Sequence, residues 1–126
     1  MKERIKLDLL DLMRIPGLAG HEDRVRRDLR DRLDAIGVES RSDPLGNLVA
    51  HFSGDGPRVM LFTHMDQLGF IVRKIEANGL IRLERLGGVP ERALAAQDVL
   101  ICVSKGRDIP GVIANKSHHA TTALEK

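Results

Sequence analysis

His64 and Asp66 are the residues of this sequence whose types and spacing could do chemistry. They follow a short, mostly apolar stretch, residues 58–63, which includes the strand-favouring Val59 and Phe62. An imidazole can bind a transition metal, and a carboxylate two residues further on can orient the imidazole or its bound water. The pair is therefore a candidate metal site. A histidine and an aspartate at a strand end can also form a hydrogen-bonded pair that fixes a loop, and spacing alone leaves both interpretations open.

The stretch 58–63 has the pattern of a strand buried on both faces, as found inside the sheet of an α/β protein. Ligands of such sheets sit in the loops that leave the carboxyl ends of the strands, which is where His64 stands. We therefore predict an α/β fold in which residues 1–68 form two helices packed on a sheet. Its central strand is 58–63 and ends at His64.

The two helices are predicted from apolar residues at helical spacing. The first covers residues 3–13 and ends before Pro16 and Gly17, and the second begins near Glu22 and ends at Gly37. The apolar positions are Ile5, Leu9 and Leu12 in the first helix and Val25, Leu29, Leu33 and Ile36 in the second.

Short extended segments make up most of the remaining chain. Turn residues separate them at 43–47, at 77–79, where Asn78-Gly79 fits a type I′ hairpin turn, and at 104–108. Short strands in quick succession indicate a β-rich subdomain that begins near residue 69. The predicted strands are 38–41, 48–52, 70–75, 80–86, 99–103 and 109–113.

Composition limits the possible partners. With 126 residues, 42% of them apolar, the chain has the size of one domain and can bury a core. It has three phenylalanines and no tryptophan or tyrosine, whereas single-strand and RNA-binding surfaces need aromatic faces. The net charge of +2 comes from interleaved acids and bases and not from a basic block. We expect no nucleic-acid partner.

The cysteine content and the N-terminus indicate the compartment. Cys102 is the single cysteine, so an internal disulfide is impossible and a reducing compartment is natural. The N-terminus lacks an apolar signal run, and no stretch approaches the length of a membrane span. We expect a cytoplasmic protein without a membrane partner.

The segment from Thr63 to Phe70, THMDQLGF, resembles the His-x-Asp-Glu-Ile-Gly-Phe segment of the tetrahedral, dinuclear-metal aminopeptidases. This family contains glutamyl and deblocking aminopeptidases. Further motifs of the family have counterparts in the same order across nearly the entire chain. They are Ile15–Glu22, similar to Pro-Gly-x-Ser-Gly-x-Glu; Asp43–Leu48, similar to Asp-x-x-Gly-Asn; Leu86–Gly88; and Ile109–Ile113 followed by Lys116.

The resemblance implies a catalytic α/β/α domain interrupted by a β-barrel or PDZ-like domain used in assembly. Residues 1–68 would be the first part of the catalytic domain and residues 69–126 the first part of the inserted domain. His64 aligns with a metal ligand, and Asp66 aligns with the catalytic-site carboxylate that orients this ligand.

The resemblance also implies cofactors and partners. The complete enzyme would hold two divalent metal ions, zinc or cobalt, with a bridging water that attacks the peptide bond. Its substrates would be peptides, cleaved from the N-terminus. Its protein partners would be copies of itself in a homo-oligomer, a tetrahedral dodecamer in the family.

The sequence departs from the family pattern in two ways. Gln67-Leu68 stands where Glu-Ile is commoner, which removes one acid beside the site. The sequence also ends before the family's bridging aspartate, general-base glutamate and remaining metal ligands. We therefore expect an N-terminal fragment of an aminopeptidase or one half of a split enzyme.

Two other classes of function stay open from the sequence. One is a non-catalytic assembly or binding module that uses the β-rich half. The other is a carbohydrate hydrolase, but glycosidases need two positioned carboxylates and usually aromatic residues that stack on sugars. A chain without tryptophan or tyrosine is poorly equipped for that.

The remaining histidines are interpreted as structural or surface residues. His21 stands near a helix start, and His51 stands in a predicted strand without neighbouring ligand types. His118 and His119 are adjacent, and neighbouring residues of a strand point to opposite faces, so both cannot easily bind one ion. The family places a histidine at the position of His119, and we assign it no catalytic role.

Overall fold

The computed structural model describes residues 1–103 and 107–115. The chain divides into two compact units, Met1–Gly87 and Gly88–Lys126. The domain boundary after residue 68 that the resemblance implies is a different division, and it stays a prediction. Lys116, His118, His119 and residues 104–106 of the predicted turn lie outside the described residues. In the part that is described, no helix combines the length and the apolar composition needed to cross a membrane.

Both predicted helices are confirmed. Helix α1 covers Lys2–Met13, and helix α2 covers Asp23–Ala35. Helix α2 has an acid, Asp23, in its first turn and a base, Arg32, in its last turn. Both charges interact favourably with the helix dipole. Gly37 follows α2 with a φ of +72°, the left-handed conformation that commonly ends a helix.

Arg32 joins the two helices. Its Nε lies 2.6 Å from Asp28 Oδ2 one turn earlier in α2, and its Nη1 lies 3.0 Å from Asp8 Oδ1 in α1. The hydrogen bond to Asp28, with the charges of Asp28 and Asp8, raises the pKa of Arg32 above its usual value. The polar side of α2 therefore also fixes α1 beside it.

The strands pair with their sequence neighbours in antiparallel two-stranded ribbons. The first ribbon pairs β1 (Ser40–Ser42) with β2 (Leu48–Ala50). The second pairs β3 (Gly69–Ile75) with β4 (Ile81–Leu86). In the second unit, a 3₁₀ helix at Glu91–Ala93 precedes a ribbon of β5 (Asp98–Val103) and β6 (Arg107–Val112). The hairpin predicted around Asn78-Gly79 is confirmed, and the other predicted strands, apart from 58–63, overlap these elements.

The type I′ turn predicted for this hairpin is wrong. Such a turn needs positive φ at both central residues. Gly79 has a φ of +86° and meets this condition. Asn78 does not, because Ala96 is the only described non-glycine residue with a positive φ. The Gly79 amide donates to the Glu76 carbonyl at 2.9 Å, and the Glu76 amide donates to Leu80 at 2.8 Å. Asn78 Oδ1 accepts from the Leu80 amide at 3.1 Å, and this local bond favours a three-residue loop closed by a left-handed glycine.

The central strand predicted at residues 58–63 is also wrong. This stretch pairs with no strand in the described part of the chain. Its apolar side chains, Val59, Met60, Leu61 and Phe62, are between 79% and 93% exposed. A strand of this kind forms only where neighbouring strands accept its backbone hydrogen bonds and other layers cover its faces. The described residues supply neither.

The buried part of the molecule is centred on Gly17 and Val25. Val25, in α2, is 5% exposed and is the one buried apolar side chain among the described residues. A Cβ atom at position 17 would lie 2.6 Å from Val25 Cγ2 and 3.4 Å from the Met65 carbonyl oxygen. Glycine at this position therefore lets the loop after α1 approach both α2 and the segment that contains His64.

We predict that Gly17→Ala destabilises the chain by about 1–3 kcal/mol, because the added methyl group overpacks against Val25. Denaturant unfolding measures this difference. Gly56→Ala is the matched control, since nothing lies within 4 Å of a Cβ atom there. It should change the free energy of unfolding by no more than about 0.5 kcal/mol. Equal changes in the free energy of unfolding at the two positions would show that close packing at Gly17 does not contribute to stability.

Candidate metal site

The structure brings His64 and Asp66 together. The His64 Nδ1 atom lies 2.9 Å from Asp66 Oδ1 and 3.1 Å from the Asp66 carbonyl oxygen. Both oxygens are acceptors, so this geometry suits the tautomer with the hydrogen on Nδ1, in which Nε2 keeps its lone pair. The His64 side chain is 82% exposed, which leaves the ring accessible.

This arrangement fits one metal ligand with its supporting carboxylate. Histidines that bind metals almost always donate the other ring N–H to a carboxylate or a backbone carbonyl, which fixes the tautomer and the ring orientation. Catalytic zinc, however, takes three protein ligands. Among the described residues there is no group of three or more histidine, cysteine or acidic side chains that could hold an ion. They therefore offer one imidazole with a carboxylate beside it.

Gln67 fastens the segment after His64 to the loop that follows α1. Its backbone N–H donates to the Gly17 carbonyl at 2.7 Å. Its side-chain Nε2 lies 2.7 Å from the Ile15 carbonyl oxygen and 3.4 Å from that of Met13. From the sequence, Gln67 is only a missing acid, because its side-chain partners stand 52 and 54 residues earlier and spacing gives no signal for them.

Close backbone approaches bring other motifs of the resemblance to the same place. A Cβ atom on Gly69 would lie 2.9 Å from Leu18 Cδ1, so the backbone at Gly69 lies close to the Leu18 side chain. A Cβ atom on Gly87, which has a φ of +94°, would overlap the Leu68 side chain. The Pro-Gly loop, the His-x-Asp segment and the Leu-Gly-Gly segment therefore meet around residues 65–69.

The Asp43–Asn47 motif forms the turn between β1 and β2. Asp43 Oδ1 accepts the backbone N–H groups of Leu45 at 3.0 Å and Asn47 at 2.9 Å, and its Oδ2 accepts Asn47 Nδ2 at 2.7 Å. The side-chain hydrogen bond from Asn47, followed by the backbone N–H groups, lowers the pKa of Asp43. Arg26 Nη1 donates to the Gly46 carbonyl at 3.0 Å and so ties the turn to α2. These contacts give the motif a structural role.

The other described histidines lie in loops. The His21 backbone N–H donates to the Leu18 carbonyl at 2.7 Å, which closes the loop before α2. His51 is exposed and follows the end of β2 at Ala50, so its predicted place inside a strand is wrong.

Comparisons with known proteins agree with this placement of motifs. The family model of the M42 glutamyl aminopeptidases matches residues 46–126. The chain is 36% identical to the putative aminopeptidase SgcX of Escherichia coli (strain K12), over all of its own length and 34% of that protein. It is 40% identical to the lysyl aminopeptidase of Pyrococcus furiosus, over 72% of this chain and 27% of that protein.

Solved structures give the same result for the fold. A TET aminopeptidase from a marine sediment archaeon of the Thaumarchaeota superposes with a TM-score of 0.83 at 28% identity, over 99% of this chain and 35% of its own. The TET1 peptidase of Pyrococcus horikoshii, which can assemble into a tetrahedron or a large octahedral shell, gives a TM-score of 0.80 at 27% identity. It matches 94% of this chain and 34% of its own. The fold is thus the mixed α/β fold of a TET peptidase domain.

The chain belongs to the M42 glutamyl aminopeptidase family. The family resemblance inferred from the motifs is confirmed. The chain spans about a third of the length of the relatives that it matches.

The lowered pKa of Asp43 predicts a pH dependence of its turn. An aspartate in the unfolded chain titrates near pH 3.9, and the folded pKa is lower. The ionised carboxylate therefore stabilises the fold above about pH 4, and this contribution is lost as the pH falls through the lowered pKa. In NMR titrations the backbone N–H signals of Leu45 and Asn47 should move together with the Asp43 carboxyl signal. Asp43→Asn should abolish this movement, and a midpoint at or above the ordinary value would contradict the prediction.

Proposed function

We propose that this chain forms the N-terminal part of a metal-dependent aminopeptidase. His64 binds a divalent metal ion through Nε2, and Asp66 holds the ring in place. The observation that carries the proposal is the occupation of His64 Nδ1 by two Asp66 oxygens, in a chain that belongs to an aminopeptidase family. The relatives include a lysyl aminopeptidase and a glutamyl aminopeptidase of Lactococcus lactis. These names favour the proposal of peptide substrates over that of carbohydrate substrates.

Two divalent ions, zinc or cobalt, are the cofactors of this proposal, and imidazole is a ligand that suits both. A bound ion would act as a Lewis acid and lower the pKa of its water. Asp66 accepts the Nδ1 hydrogen and so fixes the tautomer and the orientation of the His64 ring. Since the described residues contain no group of three ligands, the other ligands and the general base are assigned to parts of the protein outside the described residues.

The exposed stretch 58–63 supports the same proposal. In a complete α/β/α catalytic domain it would be a central strand, hydrogen-bonded at both edges and covered on both faces. Burying Val59, Met60, Leu61 and Phe62 would then contribute about 1.5–3 kcal/mol for each side chain. The likeness to the TET aminopeptidase extends over 99% of the chain and so includes this stretch.

Residues 69–126 would begin an inserted β-barrel or PDZ-like assembly domain. Two-stranded ribbons such as β3–β4 are marginally stable by themselves and have open edges, so they gain from further strands. The TET1 peptidase of Pyrococcus horikoshii assembles into closed shells. We therefore propose a homo-oligomer, a tetrahedral dodecamer. We also propose that it is located in the cytoplasm.

The first test is His64→Ala in the protein expressed from its own gene. With lysyl and glutamyl p-nitroanilides and added zinc or cobalt, we expect chelator-sensitive hydrolysis that falls about 100-fold or more in the variant. His51→Ala is the matched control, because His51 is an exposed histidine outside the site. Hydrolysis that resists chelators, or that survives His64→Ala, would overturn the metal role.

The second test uses residues 1–126 alone. This chain should show no chelator-sensitive hydrolysis and should bind zinc weakly in calorimetric titrations, because one imidazole cannot make a tight site. The general base that accepts a proton from the attacking water would also be missing. Submicromolar zinc binding that disappears in His64→Ala would show that the chain carries further ligands.

A further inference from the structure

The side chain of Gln67 is held by the end of α1. Its Nε2 donates to the Ile15 carbonyl at 2.7 Å and lies 3.4 Å from the carbonyl oxygen of Met13, the last residue of the helix. The final carbonyl groups of a helix lack partners within it and form the negative end of the helix dipole. An amide N–H₂ group is therefore well suited to this position.

A glutamate could not make these contacts in its ionised form. Carbonyl oxygens only accept hydrogen bonds, and an ionised carboxylate only accepts as well. The carboxylate would face the Ile15 carbonyl and the helix C-terminus with like charge. The exchange of glutamate for Gln67 is thus a change of hydrogen-bonding partner as well as the removal of an acid.

The contacts of Gln67 continue into the site. Its backbone N–H donates to the Gly17 carbonyl at 2.7 Å, and Gly17 lies close to the carbonyl oxygen of Met65. Met65 stands between His64 and Asp66, so the chain that carries the imidazole and its carboxylate is held on one side by the loop after α1. Among the described residues, Asp66 is the hydrogen-bonding partner of the His64 side chain, so the backbone that carries the two residues helps to hold the pair.

We propose that Gln67 is a positioning residue. The hydrogen bonds from its side-chain amide to the carbonyl oxygens at the end of α1 fix the His64–Asp66 pair, so that His64 Nε2 is presented to a metal ion. The part of this inference that concerns the metal ion rests on the proposed function. The part that concerns the contacts of Gln67 does not. It differs from the view that Gln67 is only a missing acid, because the two views predict opposite effects of restoring the acid.

The experiment compares three variants of residues 1–126 labelled with ¹⁵N. Gln67→Glu removes the donor and adds a charge, and Gln67→Met removes the donor alone at similar size. Gln97→Glu is the matched control, since it makes the same charge change in the other compact unit. NMR measures hydrogen exchange of the amide at position 67, the ring nitrogen signals of His64, and the response of that ring to added zinc.

We expect both Gln67 variants to exchange this amide faster, to lose part of the Nδ1–H tautomer of His64, and to bind zinc at His64 about tenfold more weakly. Gln97→Glu should leave all three unchanged. If Gln67 were only a missing acid, Gln67→Glu would bind zinc more tightly with unchanged exchange and tautomer, and that result would overturn the proposal.

Two further outcomes separate this inference from the proposed function. If the wild-type His64 ring does not respond to zinc, the metal role fails, and faster exchange with an altered tautomer in the variants would still show that Gln67 positions the pair. If exchange and tautomer are unchanged in both Gln67 variants, the positioning role fails whatever zinc does. Signals of the β3–β4 ribbon report whether each variant is folded, and Gln67→Met decides the test if the charged variant is not.

Discussion

The close approach at Gly17 is the contact on which the arrangement of α2 and the His64 segment in the first unit depends. A residue without a side chain lets one loop touch Val25 of α2 on one side and the Met65 carbonyl on the other. Because Val25 is the one buried apolar side chain among the described residues, little apolar burial exists elsewhere to hold the second helix and the His64 segment in a fixed relation. The Gly17 carbonyl also accepts the Gln67 backbone N–H, so the same residue connects packing with hydrogen bonding.

Polar contacts consequently fix much of the geometry around this point. Arg32 joins α1 to α2, and Arg26 joins α2 to the turn after β1. Exposed ion pairs contribute little to stability, typically below about 1 kcal/mol, so these contacts orient elements more than they stabilise them. A chain held in this way still leaves the apolar stretch 58–63 uncovered. An apolar stretch of this kind is covered where further layers pack on it, and the chain spans 34% of one relative and 35% of a similar solved structure.

Local patterns could be predicted from the sequence, and contacts between distant residues could not. Apolar periodicity predicts both helices and turn residues predict the β3–β4 hairpin, because each signal lies within one element. The type of turn was wrong because the Asn78 side chain bonds to the Leu80 backbone. The strand at 58–63 was wrong because a buried strand is defined by partners outside its own residues. The site divides in the same way: His64 and Asp66 follow from a two-residue spacing, whereas Gln67 bonds to carbonyls about 50 residues earlier.

Gln67 also shows how a departure from a family motif acquires a physical meaning. Counted as charge, glutamine for glutamate weakens the field around a cation by one negative group. Counted as hydrogen bonds, it changes an acceptor into a donor at a place where two carbonyl oxygens converge. The two effects act on different atoms, since the charge acts on an ion and the donor acts on the backbone that carries His64. A chain with glutamate at this position could keep the backbone bond to residue 17, but the carbonyl oxygens of residues 13 and 15 would need another donor, such as water.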